Sequence, residues 1–578
     1  MKNKQYIIKL ILVFGLISAV SCTENFEEIN TDPNAFNEAP ATNAFAGVVK
    51  ETLDLVGGDI NERWGIHWAA YSGGVGGQNA KYGFTGSTLE GIWENTFVNV
   101  LKNNEEIIVN HQDDPAYANR VQIAKIWKAY MYSVAVTIWG PIPLSNAFGF
   151  DSTVTYDSEE QIYTAILSML ETAATSIDPA GDMYSVDKVY NGDLGKWIKF
   201  ANTLRLKTAL RASYGFPGLA QTHVTAVMGN ENGLISNPTE DANLQWGIEE
   251  ENWNRFYERF IFGNVNPDSY IFMNHSFLLH LKTYRDPRMD VLVEEATEPL
   301  SIVDLVYESG STTNLIPVRY DIPKYGKPLS TQAMEAWDLD NNDSPMADGD
   351  WNLDSIPSLD LFFIPDANFN IITSAEVEFM KAEAALKGWG GSSTAEEYYY
   401  AGIDKSFAYY GVLGDVGAYK ERDGIKWNTA SVGDRDIWGI TSSGISADGM
   451  DKIVVQRWIA MYWQGVDGWA LRKRTRSLVL PPHTNHDGII NVTTDYAEIP
   501  ERMEWDKAEG AINPVGFSSG LDHLGGPDET VQPLKMNKPS PGTAWENAPA
   551  VYNNDFGRHW YGDSEDDLIN AGIPYEKL

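Results

Sequence analysis

Three stretches of this chain gather residue types that could do chemistry. Gly516-Phe517-Ser518-Ser519-Gly520 has the G-x-S-x-G spacing of a nucleophilic serine. That spacing works when a buried strand feeds the serine into a sharp turn before a helix. Here Asn513-Pro514 precedes the motif and a glycine-rich stretch follows, so no catalytic serine is expected. His483-Thr484-Asn485-His486-Asp487 offers imidazoles and a carboxylate, but Pro481-Pro482 in front of it suggests a rigid surface loop. No H-E-x-x-H pattern or cysteine pair is present to complete a zinc site. Trp337 to Asp350, WDLDNNDSPMADGD, crowds five aspartates into one loop whose oxygens could hold Ca²⁺. The glycine that an EF-hand loop needs at its sixth position is replaced by Asp343, so a solvated acidic loop is the simpler reading and no cofactor is expected. With 80 Asp and Glu residues, carboxylate pairs of the glycosidase kind arise by number alone. A glycoside hydrolase therefore stays an alternative, but no catalytic constellation stands in a fitting context, and we expect a binder and not an enzyme.

Binding chemistry is better represented. The chain holds 19 Trp, 28 Tyr and 22 Phe, and aromatic faces with polar N–H or O–H tips are what sugar rings stack against. The run Trp64 to Trp93, WGIHWAAYSGGVGGQNAKYGFTGSTLEGIW, surrounds Gly73, Gly74, Gly76 and Gly77 with Trp64, Trp68, Tyr71, Tyr82 and Trp93. The glycines permit backbone shapes closed to other residues, and Gln78, Asn79 and Lys81 can hydrogen-bond hydroxyls. Trp64 and Trp68, four residues apart, suit a core face equally well, whereas Tyr71 and Tyr82 beside the glycines are expected to be exposed. A second aromatic group is Trp253, Phe256, Tyr257 and Tyr270, and a third is Tyr320, Tyr325 and Trp337. The candidate ligand contacts are thus Trp64, Trp68, Tyr71, Asn79, Tyr82, Trp93, Trp253, Tyr257, Tyr320, Tyr325 and Trp337.

The formal net charge is −37, which repels nucleic acid and polyanionic glycans and, with few cations beside the aromatic loops, favours a neutral chain as ligand. The one basic cluster, Arg472-Lys473-Arg474-Thr475-Arg476, suits a helix C-terminal turn. Cys22 is the single cysteine, so no intramolecular disulfide forms. It follows a basic leader (Lys2, Lys4, Lys9) and the apolar run Leu10 to Val20, which is too short to span a bilayer. Ala19-Val20-Ser21-Cys22 resembles a bacterial lipoprotein cleavage box, which implies acylation of Cys22. We read residues 1–21 as signal peptide, 22–41 as tether and 42–578 as one body.

Helices must position the aromatic loops. Apolar spacing predicts helices over Ala116 to Trp139, stopped by Gly140-Pro141-Ile142-Pro143, and after a capping box at Ser158-Glu159-Glu160-Gln161. Others are predicted over Leu194 to Tyr214, Ser374 to Leu386, Ala395 to Tyr410 and Lys452 to Arg474. Residues 57–92, 229–275, 296–370, 411–450 and 479–560 read as long irregular stretches, and loops of such length are usually functional. Small residues at Ala382, Ala384 and Ala385 suit closely stacked helices, though no strict repeat of 34 residues is present.

Six segments, in order, resemble the SusD/RagB family of nutrient-binding outer-membrane lipoproteins. They are Asn30 to Asn34, Ala124 to Ala147 (AKIWKAYMYSVAVTIWGPIPLSNA), Trp197 to Arg211, Ile372 to Trp389, Gln456 to Thr475 and Ile499 to Asn513. The resemblance implies a mainly α fold: a degenerate TPR-like helical scaffold with long irregular loops and a few short strands. It implies a non-enzymatic, lipid-anchored protein on the outside of the outer membrane. Such a protein binds oligosaccharide and passes it to a SusC-like TonB-dependent transporter; a peptide-binding RagB-type role is the alternative. Glu24, Glu27 and Glu28 resemble that group's surface-export signal.

Overall fold

Ser158 and Thr394 start two of the helices by one device. Each hydroxyl accepts from the backbone N–H three residues on, and the Gln161 or Glu397 side chain reaches back to the cap's own N–H. In this computed structural model the described residues are 41–73, 85–149, 153–263, 271–274, 277, 280–281, 284–294, 356–431, 445–478 and 500–539, with the strand backbones of 306–309 and 312–315. Cys22, Asn79, Tyr82, Tyr320, Tyr325, Trp337, the aspartate loop to Asp350 and His483 to Asp487 lie outside them, as do the leader and all but the last residue of the tether.

The longer helices are α1 Ala41–Thr52, α2 Gly86–Glu94, α3 Asn103–His111, α4 Ala118–Trp139, α5 Glu159–Ser176 and α6 Leu194–Arg211. They continue with α7 Pro217–Met228, α8 Ser374–Leu386, α9 Ala395–Tyr409, α10 Gly449–Ala460, α11 Gly465–Thr475 and α12 Pro514–Leu524. Sequence neighbours α4 to α7 pack successively, and α8 packs on both α9 and α10, which is the stacked-pair architecture expected. Among the described residues six short strands make three antiparallel pairs: β1 Ser72–Gly73 with β3 Phe272–Met273, β2 Ala242–Gln245 with β6 Asn368–Ile372, and β4 Val306–Ser309 with β5 Thr312–Leu315. The fold is therefore mainly α, with few strands. Among the described residues no helix is long and apolar enough to cross a membrane.

Two expectations need correction. The helix expected over Lys452 to Arg474 is two helices. Trp463 takes a left-handed φ of 77°, and the Asn61 side chain donates to its carbonyl (2.7 Å) while accepting from Gly465 N (3.1 Å). The break brings two backbones together. A Cβ on Gly465 would lie 2.3 Å from the Gly65 carbonyl carbon, so only glycine fits. The stretch 57–92 is not irregular throughout either. A π-helix runs Leu53–Gly65 and an α-turn Ile66–Trp68, and α2 begins at Gly86, because the apolar residues of this stretch find partners under α11.

The helices are stitched by a chain of buried ion pairs. On α11, Asp467 takes Lys207 (2.6 Å) and Arg211 of α6. Lys207 also reaches Glu376 of α8 (3.3 Å), which pairs with Arg457 of α10 (2.8 Å). Glu383 then holds Arg474 through both oxygens, at 2.6 and 2.8 Å. So Arg472, Lys473 and Arg474 of the basic cluster do sit in the last turn of α11, buried in the core, while Arg476 follows the helix end and is half-buried. Burial pushes the Glu383 carboxyl up, but Arg474 and Arg457 outweigh it and hold the group below its ordinary 4.5. Breaking such a pair strands a buried charge. Glu383→Gln should cost about 3–5 kcal/mol at neutral pH. A depressed carboxylate lends stability that is present above its unfolded value and lost as the pH falls. The gap in melting temperature between wild type and variant should therefore shrink below pH 4.5; a gap constant from pH 7 into acid would contradict it.

Candidate functional site

The loop that the sequence favours most is claimed by the core. Trp64 and Trp68 are fully buried, 4.5 Å apart between ring centroids, and both meet Trp469 of α11 edge-on at 5.4 and 5.0 Å. Tyr71, expected exposed, has no accessible surface. Its hydroxyl donates to the Trp458 carbonyl (2.8 Å), and its ring fills the space left by Gly468, where a Cβ would stand 2.7 Å from the Tyr71 hydroxyl oxygen. Trp93 packs on Phe97, Trp139 and Tyr156 and keeps only 8% of its surface. These four rings are corrected from ligand platforms to core. For Trp64, Trp68 and Tyr71 the physical reason is that residues 64–72 thread beneath α10 and α11, where Arg472 donates to the Trp68 carbonyl (2.6 Å) and the Trp458 indole to that of Ala69 (2.8 Å); Trp93 is taken by its own aromatic neighbours.

The second aromatic group behaves differently, and its two faces explain how. Asn254 is an anchor: its side-chain amide donates to the carbonyls of Phe362 (2.6 Å) and Ile364 (3.1 Å), and its own oxygen accepts from Phe256 N (3.1 Å). From that start the chain winds into a π-helix, Tyr257–Phe262, a form often found at functional sites. Phe256 and Phe260 turn inward, onto Phe363 and, for Phe256, the strained Trp463 (5.1 Å). Trp253 and Tyr257 are half-buried on the other side, and Phe262 is exposed. The Trp253 ring stands 5.2 Å from Tyr257 at 82° and 4.8 Å from Phe262 at 59°, and its indole N–H donates to the Ile248 carbonyl (2.9 Å). Phe262 is 60% exposed and Ile248 69%. An exposed apolar surface of this kind, on a rigid support, is a candidate binding face.

The two arginines beside the cluster are paired locally. Arg255 binds Glu62 (2.7 Å) and Asp59 (2.9 Å), and Arg259 pairs with Glu62. Exposed Glu249, Glu250, Glu251 and Glu258 border the rings, so the surroundings are acidic and disfavour an anionic ligand. Strand β1, at the root of the glycine-rich loop, pairs with β3, which follows the aromatic segment; the first two aromatic groups are thus drawn to neighbouring parts of the chain. Phe262 and Ile248 are binding candidates that the residue pattern did not reveal, because Ile261-Phe262 reads as core. The signal was the outward phase of Trp253, Tyr257 and Ile261 against Phe256 and Phe260. Gly516 to Gly520 lies within α12, with Gly516 pressed on the Val154 carbonyl and Gly520 on Tyr156 and Trp505, so its glycines serve packing. Among the described residues no His, Cys, Asp and Glu group is arranged to hold a metal ion.

Residues 33–505 match the SusD-like family model, described as starch-binding associating with outer membrane. Among solved structures, a chitin-binding SusD homologue from Flavobacterium johnsoniae superposes with a TM-score of 0.66 at 22% identity, covering 87% of this chain and 99% of that one. A SusD homologue from Bacteroides vulgatus gives 0.67 at 19%, covering 86% and 97%, and one from Parabacteroides distasonis 0.65 at 20%, covering 87% and 99%. At these identities the likeness is one of fold. A comparison with curated proteins gives no match.

The burial contrast sets an expectation for stability. Trp64→Ala should cost about 3–5 kcal/mol, as for large aromatic cavities, and lower the melting temperature clearly. Trp253→Ala should change stability by less than about 1 kcal/mol. Equal losses in thermal denaturation would show that the outer cluster is core after all.

Proposed function

Since the chain belongs to the SusD-like family of outer-membrane, carbohydrate-binding and non-catalytic proteins, we propose that it captures a neutral oligosaccharide on the Trp253, Tyr257 and Phe262 surface. On this reading it is a lipoprotein anchored through Cys22 and facing the exterior, and it hands its ligand to a SusC-like TonB-dependent transporter. The observation that carries the ligand assignment is the two-faced aromatic segment: inner rings fixed in the core, outer rings half-buried (Trp253, Tyr257) or exposed (Phe262). Rings held this way are ready to stack with little ordering cost on binding. The paired arginines and the net charge of −37 argue for a ligand without acidic groups. That the Flavobacterium johnsoniae SusD homologue and a second similar structure are chitin-binding proteins supports a glycan over a peptide.

Affinity electrophoresis of the mature protein through neutral glucan, mannan and chitin-derived gels, with alginate and a peptide mixture as contrasts, tests the reading. Retardation is expected in at least one neutral glycan. Trp253→Ala should weaken that binding about fivefold, the equivalent of about 1 kcal/mol for one aromatic stack. Binding to alginate or peptides alone, indifferent to Trp253, would refute it.

A further inference from the structure

The β2–β6 pair has an outward face that the aromatic surface does not use. Its inward residues Ala242, Leu244, Phe369 and Ile371 are buried. The alternate positions are all amides: Asn243 opposite Asn370, and Gln245 opposite Asn368. Side chains opposed across an antiparallel pair stand about 5 Å apart, and successive same-face pairs about 7 Å apart. Four neutral amides thus form a two-by-two grid of donors and acceptors with no charge among them. Asn370 donates to the hydroxyl of Tyr409 (2.9 Å), whose ring is 42% exposed at one border. Gln245 donates to the Asp366 carbonyl (3.0 Å). Among the described residues the Asn243 and Asn368 side chains have no hydrogen-bond partner. Asparagine is disfavoured in strands, so three of them on one face do not serve the sheet.

This grid continues into the aromatic surface. Gln245 ends β2 three residues before Ile248, at most about 10 Å of chain, and the Ile248 carbonyl holds the Trp253 indole. We propose that the outward face of β2–β6, with Tyr409, is a second sugar-contact surface continuous with the Trp253 cluster. The ligand is then a neutral oligosaccharide long enough to lie across both. Amide pairs meet hydroxyl groups as donor and acceptor at once, and an uncharged array favours hydroxyls over carboxylates. The inference rests on the glycan reading above and adds the place and length of the ligand.

Isothermal titration of the full mature chain against cello-, manno- and N-acetylchito-oligosaccharides of two to six units tests it. The six-unit form of whichever series binds should bind wild type more tightly than the shortest binding form. Asn243→Ala with Asn368→Ala should weaken the six-unit ligand about tenfold, as for two lost hydrogen bonds, and leave the shortest form unchanged. Trp253→Ala should weaken both. If the alanine pair lowers the melting temperature, Asn368→Ala alone is read, with about a threefold loss expected. Affinity for the six-unit ligand unchanged in the alanine variants, with Trp253→Ala still weakening it, would overturn this inference alone. Failure of wild type to bind any series would overturn the glycan reading and this inference with it.

Discussion

The helical body depends on the alternating row of buried charges Arg211, Asp467, Lys207, Glu376, Arg457, Glu383 and Arg474. A pair of charges removed from water must recover its hydration energy from close, well-formed partners. Here every anion binds two cations that come from helices other than its own, so α6, α8, α10 and α11 satisfy their charges in one relative placement. Arg211 extends the row to α4, donating to the Thr137 hydroxyl (2.7 Å) and the Ser133 carbonyl (3.1 Å). Apolar packing alone tolerates sliding of one helix on another; this row does not. Lys473 shows the same constraint with no carboxylate in hydrogen-bond contact. Its ammonium donates to the carbonyls of Thr137 (2.9 Å) and Glu501 (2.8 Å), lies 3.2 Å from the Trp469 ring centroid, and is driven by burial well below the usual lysine range.

From that fixed body the candidate binding face follows. The break at Trp463 lets α11 approach the π-helix at Gly65, and the approach buries Trp64, Trp68 and Tyr71. The same Trp463 stacks on Phe362 (4.3 Å) and supports Phe256 (5.1 Å). One strained residue therefore both withdraws the first aromatic group and props up the second. Backbone held at positive φ by a bulky side chain persists only where its surroundings insist on it; here Asn61 and three aromatic neighbours do so.

Much of the fold was legible because its signals are local. The Ser158 capping box, Gly140 after Trp139 and the bounds Ser374–Leu386 need only neighbouring residues. The break inside 452–474 was not legible, because Asn61, some 400 positions away in sequence, makes it. The same holds for the site. An i, i+4 pair such as Trp64 and Trp68 looks alike whether it faces solvent or α11. Tyr71 beside glycines suggested freedom, but those that decide its fate are Gly468 and Gly465, on a distant helix. Trp253 and Tyr257 were named as candidates by type, while Phe262 and the amides of β2–β6 became candidates only through backbone phase and strand register. Asn79, Tyr82, Tyr320, Tyr325 and Trp337 lie outside the described residues and stay candidates on their residue type.

The central claim is that a glycan lies on the outer rings of the segment from Trp253 to Phe262. A crystal structure of the protein soaked with a bound neutral oligosaccharide tests it most directly. The account predicts sugar rings stacked on Trp253, Tyr257 or Phe262, with the inner rings Phe256 and Phe260 unmoved. Sugar seated elsewhere, with those outer rings bare in the complex, would contradict it.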